Sequence, residues 1–242
     1  MLLEKICSNN YVNKLRAICL FEADFNWWNK LIFARRMMQH AGSNAAIPDE
    51  IFAKNNSQCM DAIMSKTFVA DVSKVLHHPA AIGGTDLADC YDHGAHPPTS
   101  LGMQAIGVPL NAIKVLLISL ETMEFCLRTG FGEYTKLFGG SIRNRLAGYG
   151  QGNGAAPSAF TILSTLIINA YKRLGNGAKL TSSFAARVFL LAAALYVDDT
   201  DLLHWADSPH TDDEELIEQV QNSTDDFANL AQASGGALKP PK

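Results

Sequence analysis

An α+β fold is the architecture this sequence predicts, on three observations. Apolar runs with helical spacing and with strand spacing follow one another irregularly along the 242 residues. The most apolar run ends in a carboxylate pair, "ALYVDDTDLL" at 194–203, and reads as a hairpin turning on Asp198 and Asp199. The regular strand-helix alternation of a doubly wound parallel sheet is missing. With 48% hydrophobic and 18% charged residues the chain can bury a substantial core.

In chain order, "LRAICLF" (15–21) reads as a strand and "DFNWWNKLIFARRMMQHAG" (24–42) as a helix. Asp24 or Asn26 stands near its start, Gly42 near its end, and Trp28, Leu31 and Ile32 form an apolar face. A second helix spans Ser57 to His78 and stops at Pro79. "AAIGGTDLADCYD" (80–92) begins as a short apolar strand and runs into Asp86, Asp89 and Asp92. Residues 109–123 are helical by periodicity and "EFCLRTGFG" (124–132) is strand-like. The glycine-rich loop "GYGQGNGAAP" (148–157) opens the helix "SAFTILSTLIINAYKR". A final helix is marked by Thr211 with Glu214 three residues on, the spacing of a capping box.

The five cysteines are odd in number and scattered, without a C-x-x-C pair, which argues against a disulfide framework and a cysteine-rich zinc site. A reducing, intracellular setting follows as an expectation, cytoplasmic or nuclear. The longest uncharged apolar stretch, Val188 to Val197, is far below the roughly 18–20 residues of a membrane helix, so no membrane partner is expected. The net charge of −4 conceals segregation: residues 111–190 carry nine basic residues against three acids, and residues 191–242 carry eleven acids and two lysines. The basic block suits either a polyanion site or an ordinary solvated surface.

Acidic residues are common in hairpin turns, so Asp198 and Asp199 alone say little. Their neighbourhood says more. Like charges this close repel unless a cation intervenes, and Mg²⁺ takes oxygen ligands, one or two carboxylates plus phosphates. Asp86, at the end of its own apolar strand, is the natural second source. With the two strands side by side, Asp86 and Asp198 could clamp two ions roughly 3.5–4 Å apart, the spacing of in-line phosphoryl transfer. Gly150, Gly152 and Ala155 fit the G-x-G-x-x-A pattern, but neither a preceding apolar strand nor an acid about 20 residues on is present. No G-K-[ST] triplet occurs either, which excludes a P-loop. His93 and His96 with Asp92, the pair His77-His78, and the tryptophans 27, 28 and 205 are read as surface or core residues rather than as ligands or stacking platforms.

The series "TDLADCYD", "GYGQGNGAAPSAF", "LYVDDTDLL" and "GGALKPPK", in that order, resembles the palm of a reverse transcriptase of the retrotransposon type. The upstream "LRAICLFEADFNWWNKLIFARR" is similar, more loosely, to its fingers. The resemblance implies a right-hand polymerase palm, an antiparallel sheet packed on helices, with partial helical fingers in 1–80 and a palm in 81–242 carrying a fingers-like insertion at about 105–147. It implies that Asp86 and Asp198 hold two Mg²⁺ ions, or Mn²⁺ in their place, with Asp199 a secondary carboxylate. Tyr91 would exclude a ribose 2'-OH, and Asp89 and Cys90 would lie where backbone approaches the dNTP. Gln151 and Gly152 would line the nascent base pair, Arg16 would grip the triphosphate, and Lys242 would protonate departing pyrophosphate. The implied partners are an RNA or DNA template with its primer.

The sequence departs from the family after "DCYD", where it has His93-Gly94 and then Pro97-Pro98. It also ends at Lys242, before any primer grip or thumb, so a polymerase fragment with the thumb absent is the expectation. The alternatives are an inactive remnant that at most binds nucleic acid and a template-dependent RNA polymerase.

Overall fold

The computed structural model describes residues 2–4, 15–129, 132–140, 147–182 and 187–238. In chain order it contains β1 (Leu2–Glu4), β2 (Leu15–Ala17), α1 (Ala23–Asn29), a π-helical stretch (Lys30–Met37), α2 (Met38–Ser43), α3 (Cys59–Leu76) and β3 (Ala80–Asp86). There follow α4 (Cys90–His93), α5 (His96–Ala105), α6 (Leu110–Thr122) and the two-residue strands β4 (Glu124–Phe125), β5 (Arg128–Thr129), β6 (Gly132–Glu133) and β7 (Phe138–Gly139). The chain closes with α7 (Ala156–Arg173), β8 (Ala178–Thr181), β9 (Val188–Leu191), β10 (Ala193–Tyr196), β11 (Asp199–Trp205) and α8 (Asp213–Ala233). Helices and antiparallel strand pairs are mixed, with one parallel bridge from Ile51 to Leu195, as an α+β fold allows. By contact the chain forms two compact units, Met1–Asn44 with Tyr91–Phe160, and Ala45–Cys90 with Thr161–Lys242. This division by contact is of a different kind from the motif-based one at residue 80.

In the first unit, the strand expected over 15–21 is confined to Leu15–Ala17, paired antiparallel with Leu2–Glu4. Ala23 to Ser43 is continuously helical but changes pitch through the π stretch. Its buried face is Asn29, Phe33, Met37 and Ala41, while Trp28, Leu31 and Ile32 are only half-buried. A strict four-residue repeat drifts around an α-helix of about 3.6 residues per turn, and the wider π turns keep these four side chains on one side. The unexpected α5 begins with Pro97 in its first turn, where the missing N–H costs nothing. The Pro-Pro departure in the sequence is therefore a helix start. Helix α5 packs on α6, which buries Ile113, Leu116, Leu117 and Leu120. The segment 124–132 is not one strand: β4 pairs with β7 and β5 with β6.

In the second unit a three-stranded antiparallel sheet runs in the order β10-β11-β3. Sequence reasoning put the strand ending in Asp198 beside the strand ending in Asp86. Instead the returning strand β11 lies between them, because its seven residues, Asp199 to Trp205, pair along the whole of β3. One face of this sheet meets α3: Ala62 packs with Ala194 and Phe52, and Val69 with Leu203, Leu191 and Ala178. Helix α7 buries Ile162, Leu163, Ile168 and Tyr171, and the Tyr171 ring stands edge-on to Phe227 of α8 at 5.8 Å. Fully buried side chains of this size contribute about 1.5–3 kcal/mol each, so the sheet is firmly mounted. Helix α3 ends at Leu76 with His77 in the left-handed conformation, one turn short of Pro79. Helix α8 is capped by Asp212, whose Oδ1 accepts from Glu215 N–H at 2.8 Å, rather than by Thr211. Thr211 is buried, and the carboxylate one position later is the stronger acceptor for an N-terminal amide.

Candidate active site

The last residue of β3 and the first of β11 are directly opposed carboxylates: Asp86 and Asp199 are register partners. Opposed residues of an antiparallel pair share a face, and like charges in that position destabilise the sheet. The hairpin that joins β10 to β11 is closed by the Tyr196–Asp199 pair and leaves Val197 and Asp198 as its two turn residues. Asp198 is half-buried, and its carbonyl accepts the N–H of Leu87 at 3.2 Å, so the chain leaving Asp86 is stitched to the turn. Ala88 N–H donates to Ala237 carbonyl at 2.8 Å, which lays the glycine-alanine segment 235–238 against the same strand end. Asp86, Asp198 and Asp199 are thus gathered at one end of one sheet, with Asp199 and not Asp198 directly across from Asp86.

The backbone there is strained. Val197 has φ +61°, a left-handed conformation that costs a β-branched residue about 1–3 kcal/mol, and Asp89 has φ +41°. Strain of this kind persists only where the surroundings fix it. The hairpin hydrogen bonds on one side and the Leu87 bond on the other do so.

Hard oxygen donors on one strand end match what Mg²⁺ takes, one or two carboxylates with the remaining positions left to phosphate and water. Among the described residues no group of three or more His, Cys, Asp or Glu side chains is placed to hold a metal ion. Mg²⁺ would have to be held here by one or two of these carboxylates, with phosphate and water completing its shell.

The next residue inward on the same face, Asp201, is already neutralised: Lys66 of α3 reaches it at 2.5 Å. Lys172, counted with the basic block of the sequence, is likewise committed, at 2.7 Å from the buried Glu50. The block is therefore less available to a polyanion than its count suggests.

The glycine loop lies in the first unit and is held at almost every residue. Tyr149 N–H donates to Tyr91 carbonyl at 2.6 Å, Gln151 N–H to Asp92 Oδ1 at 3.3 Å, and Cys19 N–H to Gln151 carbonyl at 2.8 Å. Asn26 of α1 spans the loop, its amide nitrogen donating to Gly152 carbonyl at 3.3 Å and its Oδ1 accepting Gly154 N–H at 2.5 Å. Asn29 and Asn153, both buried, pair at 2.9 Å. His96 lies between Glu121 Oε1 at 3.0 Å and Gly148 carbonyl at 2.6 Å. Gly152 has φ +109°, and a Cβ there would run into the Cys19 carbonyl oxygen. Tyr149 is fully buried against Gly94, with its hydroxyl on Thr99, and burial pushes its phenol far above the usual range.

Asp89 and the buried Cys90 directly follow the acid end in the second unit. Tyr91, in the first, sets its ring edge-on to Phe160 at 5.8 Å. Gln151 and Gly152 are consecutive residues of the loop just described, their carbonyls held by Cys19 and Asn26. Arg16 sits on β2 opposite Leu3, and Lys242 lies outside the described residues. Cys19, Cys59, Cys90 and Cys126 form no disulfide. His78 stacks on Trp205 at 4.6 Å and contacts Ala206 carbonyl at 2.7 Å, a structural arrangement as expected for it. Asn29, Asn153 and Lys66 were given no role from the sequence, Asn26 was read only as a helix start, and His96 as a surface or core residue. Nothing local in the sequence marks these contacts, because each joins residues far apart in the chain.

No protein-family model matches the sequence, and no curated protein matches it. Solved structures do. Telomerase from Candida tropicalis in complex with a TWJ fragment of telomeric RNA is similar with TM-score 0.59 at 15% identity, over 89% of this chain and 34% of that one. The corresponding complex from Candida albicans gives TM-score 0.55 at 12% identity, over 84% and 32%. Apo telomerase from Candida tropicalis truncated from its C-terminal domain gives 0.52 at 15%, over 93% and 46%. The chain thus spans from a third to under half of the length of these proteins. Over the matched residues this chain has a fold similar to that of these telomerases. Among the described residues no helix is long and apolar enough to cross a membrane.

Proposed function

We propose that the chain is part of an RNA-directed DNA polymerase of the retrotransposon type, adding dNTPs to a primer 3'-OH on a nucleic-acid template. The observation that carries this reading is the Asp86–Asp199 pairing with Asp198 in the adjoining turn, on a fold similar to that of the telomerases. In this reading the three-stranded sheet is the palm. Asp86 and Asp198 would hold Mg²⁺, with Asp199 as the secondary carboxylate. When bound, the ions supply Lewis-acid stabilisation of the charge that builds up in phosphoryl transfer. The chain's own part is positioning. The buried sheet is a rigid mount for the carboxylates, and a mount of this kind is what in-line geometry needs. The glycine loop, pinned by Asn26 and Asn153, would present Gln151 and Gly152 to a base pair, and Tyr91 would exclude the 2'-OH. Two of the similar telomerases hold an RNA fragment, which supports a nucleic-acid partner here.

The experiment is primer extension on RNA and DNA templates with Mg²⁺. Wild type is expected to incorporate dNTPs in preference to rNTPs, and Asp198→Asn to lose incorporation with an unchanged circular dichroism spectrum. Equal use of rNTPs would indicate an RNA polymerase. Wild-type silence where an intact relative extends would leave a nucleic-acid-binding remnant.

A further inference from the structure

Helix α3 turns one stripe toward the sheet, at positions 62, 66 and 69, one and two turns apart. Ala62 and Val69 are buried as such a stripe requires, packing on Ala194 and on Leu203. Lys66 occupies the place between them, where an apolar side chain is the ordinary choice. Across from it, β11 alternates Asp199, Asp201 and Leu203 on the helix-facing side, so Asp201 too occupies an apolar position. The two meet at 2.5 Å with 29% and 30% of their side-chain surfaces exposed. Their space is left by small neighbours. Gly84 is the register partner of Asp201 on β3 and Ala194 its partner on β10, and a Cβ on Gly84 would stand 3.4 Å from Asp201 Oδ1.

An ion pair set into a sheet-helix interface is seldom a gain in stability over two apolar side chains of the same size. Its position suggests another use. Asp201 lies two residues along the strand from Asp199 on the same face, about 7 Å away, and diagonal to Asp86 at about 7–8 Å. Without a partner, its carboxylate would extend the acid end into a strip of three on one face, and a divalent ion could settle between Asp199 and Asp201 instead of beside Asp86.

We infer that Lys66 is a positioning residue: an internal cation that occupies Asp201 and confines divalent-ion binding to the sheet end formed by Asp86, Asp198 and Asp199. This role rests on the polymerase reading given above. Lys66 acts twice. It satisfies the carboxylate next inward on the same face, and its charge opposes any cation moving inward along the strip. Helix α3 thereby becomes part of the site without touching substrate.

The test measures Mn²⁺ binding to the full chain by the loss of the free-ion paramagnetic signal, beside Mg²⁺-dependent primer extension. Wild type is expected to bind Mn²⁺ in a manner that Asp86→Asn weakens. Lys66→Met is expected to bind Mn²⁺ at least about tenfold more tightly, since the positive charge beside Asp201 is removed and a carboxylate released. Its extension rate is expected to fall in spite of the tighter binding. Lys66→Arg keeps the charge and is expected to behave as wild type. Lys66→Met with Asp201→Leu restores wild-type Mn²⁺ affinity on an apolar interface, which separates the effect from misfolding of the single variant. Unchanged affinity in Lys66→Met, with Asp86→Asn still weakening it, would overturn the role of Lys66 and leave the polymerase reading standing. Wild-type Mn²⁺ binding indifferent to Asp86 would overturn both.

Discussion

The acid end of the β3–β11 sheet and the glycine loop of the other unit carry the two strongest motifs of the sequence, and they are built on opposite terms. At the sheet end, carboxylates are set directly opposite one another and a valine is forced to φ +61°. In the loop, backbone groups from Gly148 to Ala155 are satisfied by Tyr91, Asp92, Cys19, Asn26, Asn153 and His96. One region stores unfavourable interactions and the other removes them. Under the proposed function the opposed carboxylates are there for the cation they would bind. A loop whose groups are mostly satisfied in this way holds a fixed shape. Substitutions should therefore have opposite signatures in the two places.

The largest contrast is expected at Asp86. Asp86→Asn should lower primer extension by at least about 100-fold while the chain keeps a cooperative melting transition. Melting temperature and single-nucleotide incorporation measured on one preparation check both. Loss of stability in parallel with activity would place Asp86 among ordinary structural residues.

Gly152→Ala should do the reverse, destabilising the first unit by about 2–4 kcal/mol, because the new Cβ meets the Cys19 carbonyl in a conformation that glycine alone adopts readily. Denaturant unfolding reads this directly. Asn153→Ala, which strips the Asn29 amide of its buried acceptor and leaves Tyr149 carbonyl without its donor, should cost about 1–3 kcal/mol by the same measurement. Val197→Asn is the smallest, a gain of about 1 kcal/mol, since asparagine tolerates the left-handed region that valine does not. No gain would mean that the turn is relaxed by contacts that valine alone makes.

The carboxylate end was legible in the sequence because motif spacing and an apolar strand before each aspartate are local signals. "TDLADCYD" and "LYVDDTDLL" locate Asp86, Asp198 and Asp199. Which of the two hairpin aspartates stands opposite Asp86 was not legible, because register depends on the turn taking Val197 and Asp198 and on β11 rather than β10 docking on β3. The start of α8 was read one residue early, since Thr211 and Asp212 are both capping residues and only the packing of Thr211 decides between them. The π stretch and the buried asparagines could not be read at all. Asn29 and Asn153 are 124 residues apart, and each alone looks like a polar interruption of its element. Lys66 was invisible for the same reason: its partner lies 135 residues downstream.

The most direct measurement is the anomalous scattering of Mn²⁺ in crystals of the wild-type chain grown with a primer-template and a dNTP. Density coordinated by Asp86 and Asp198 at the sheet end, and absent in Asp86→Asn, is the predicted result. Bound manganese elsewhere on the chain, with that sheet end empty, would contradict it.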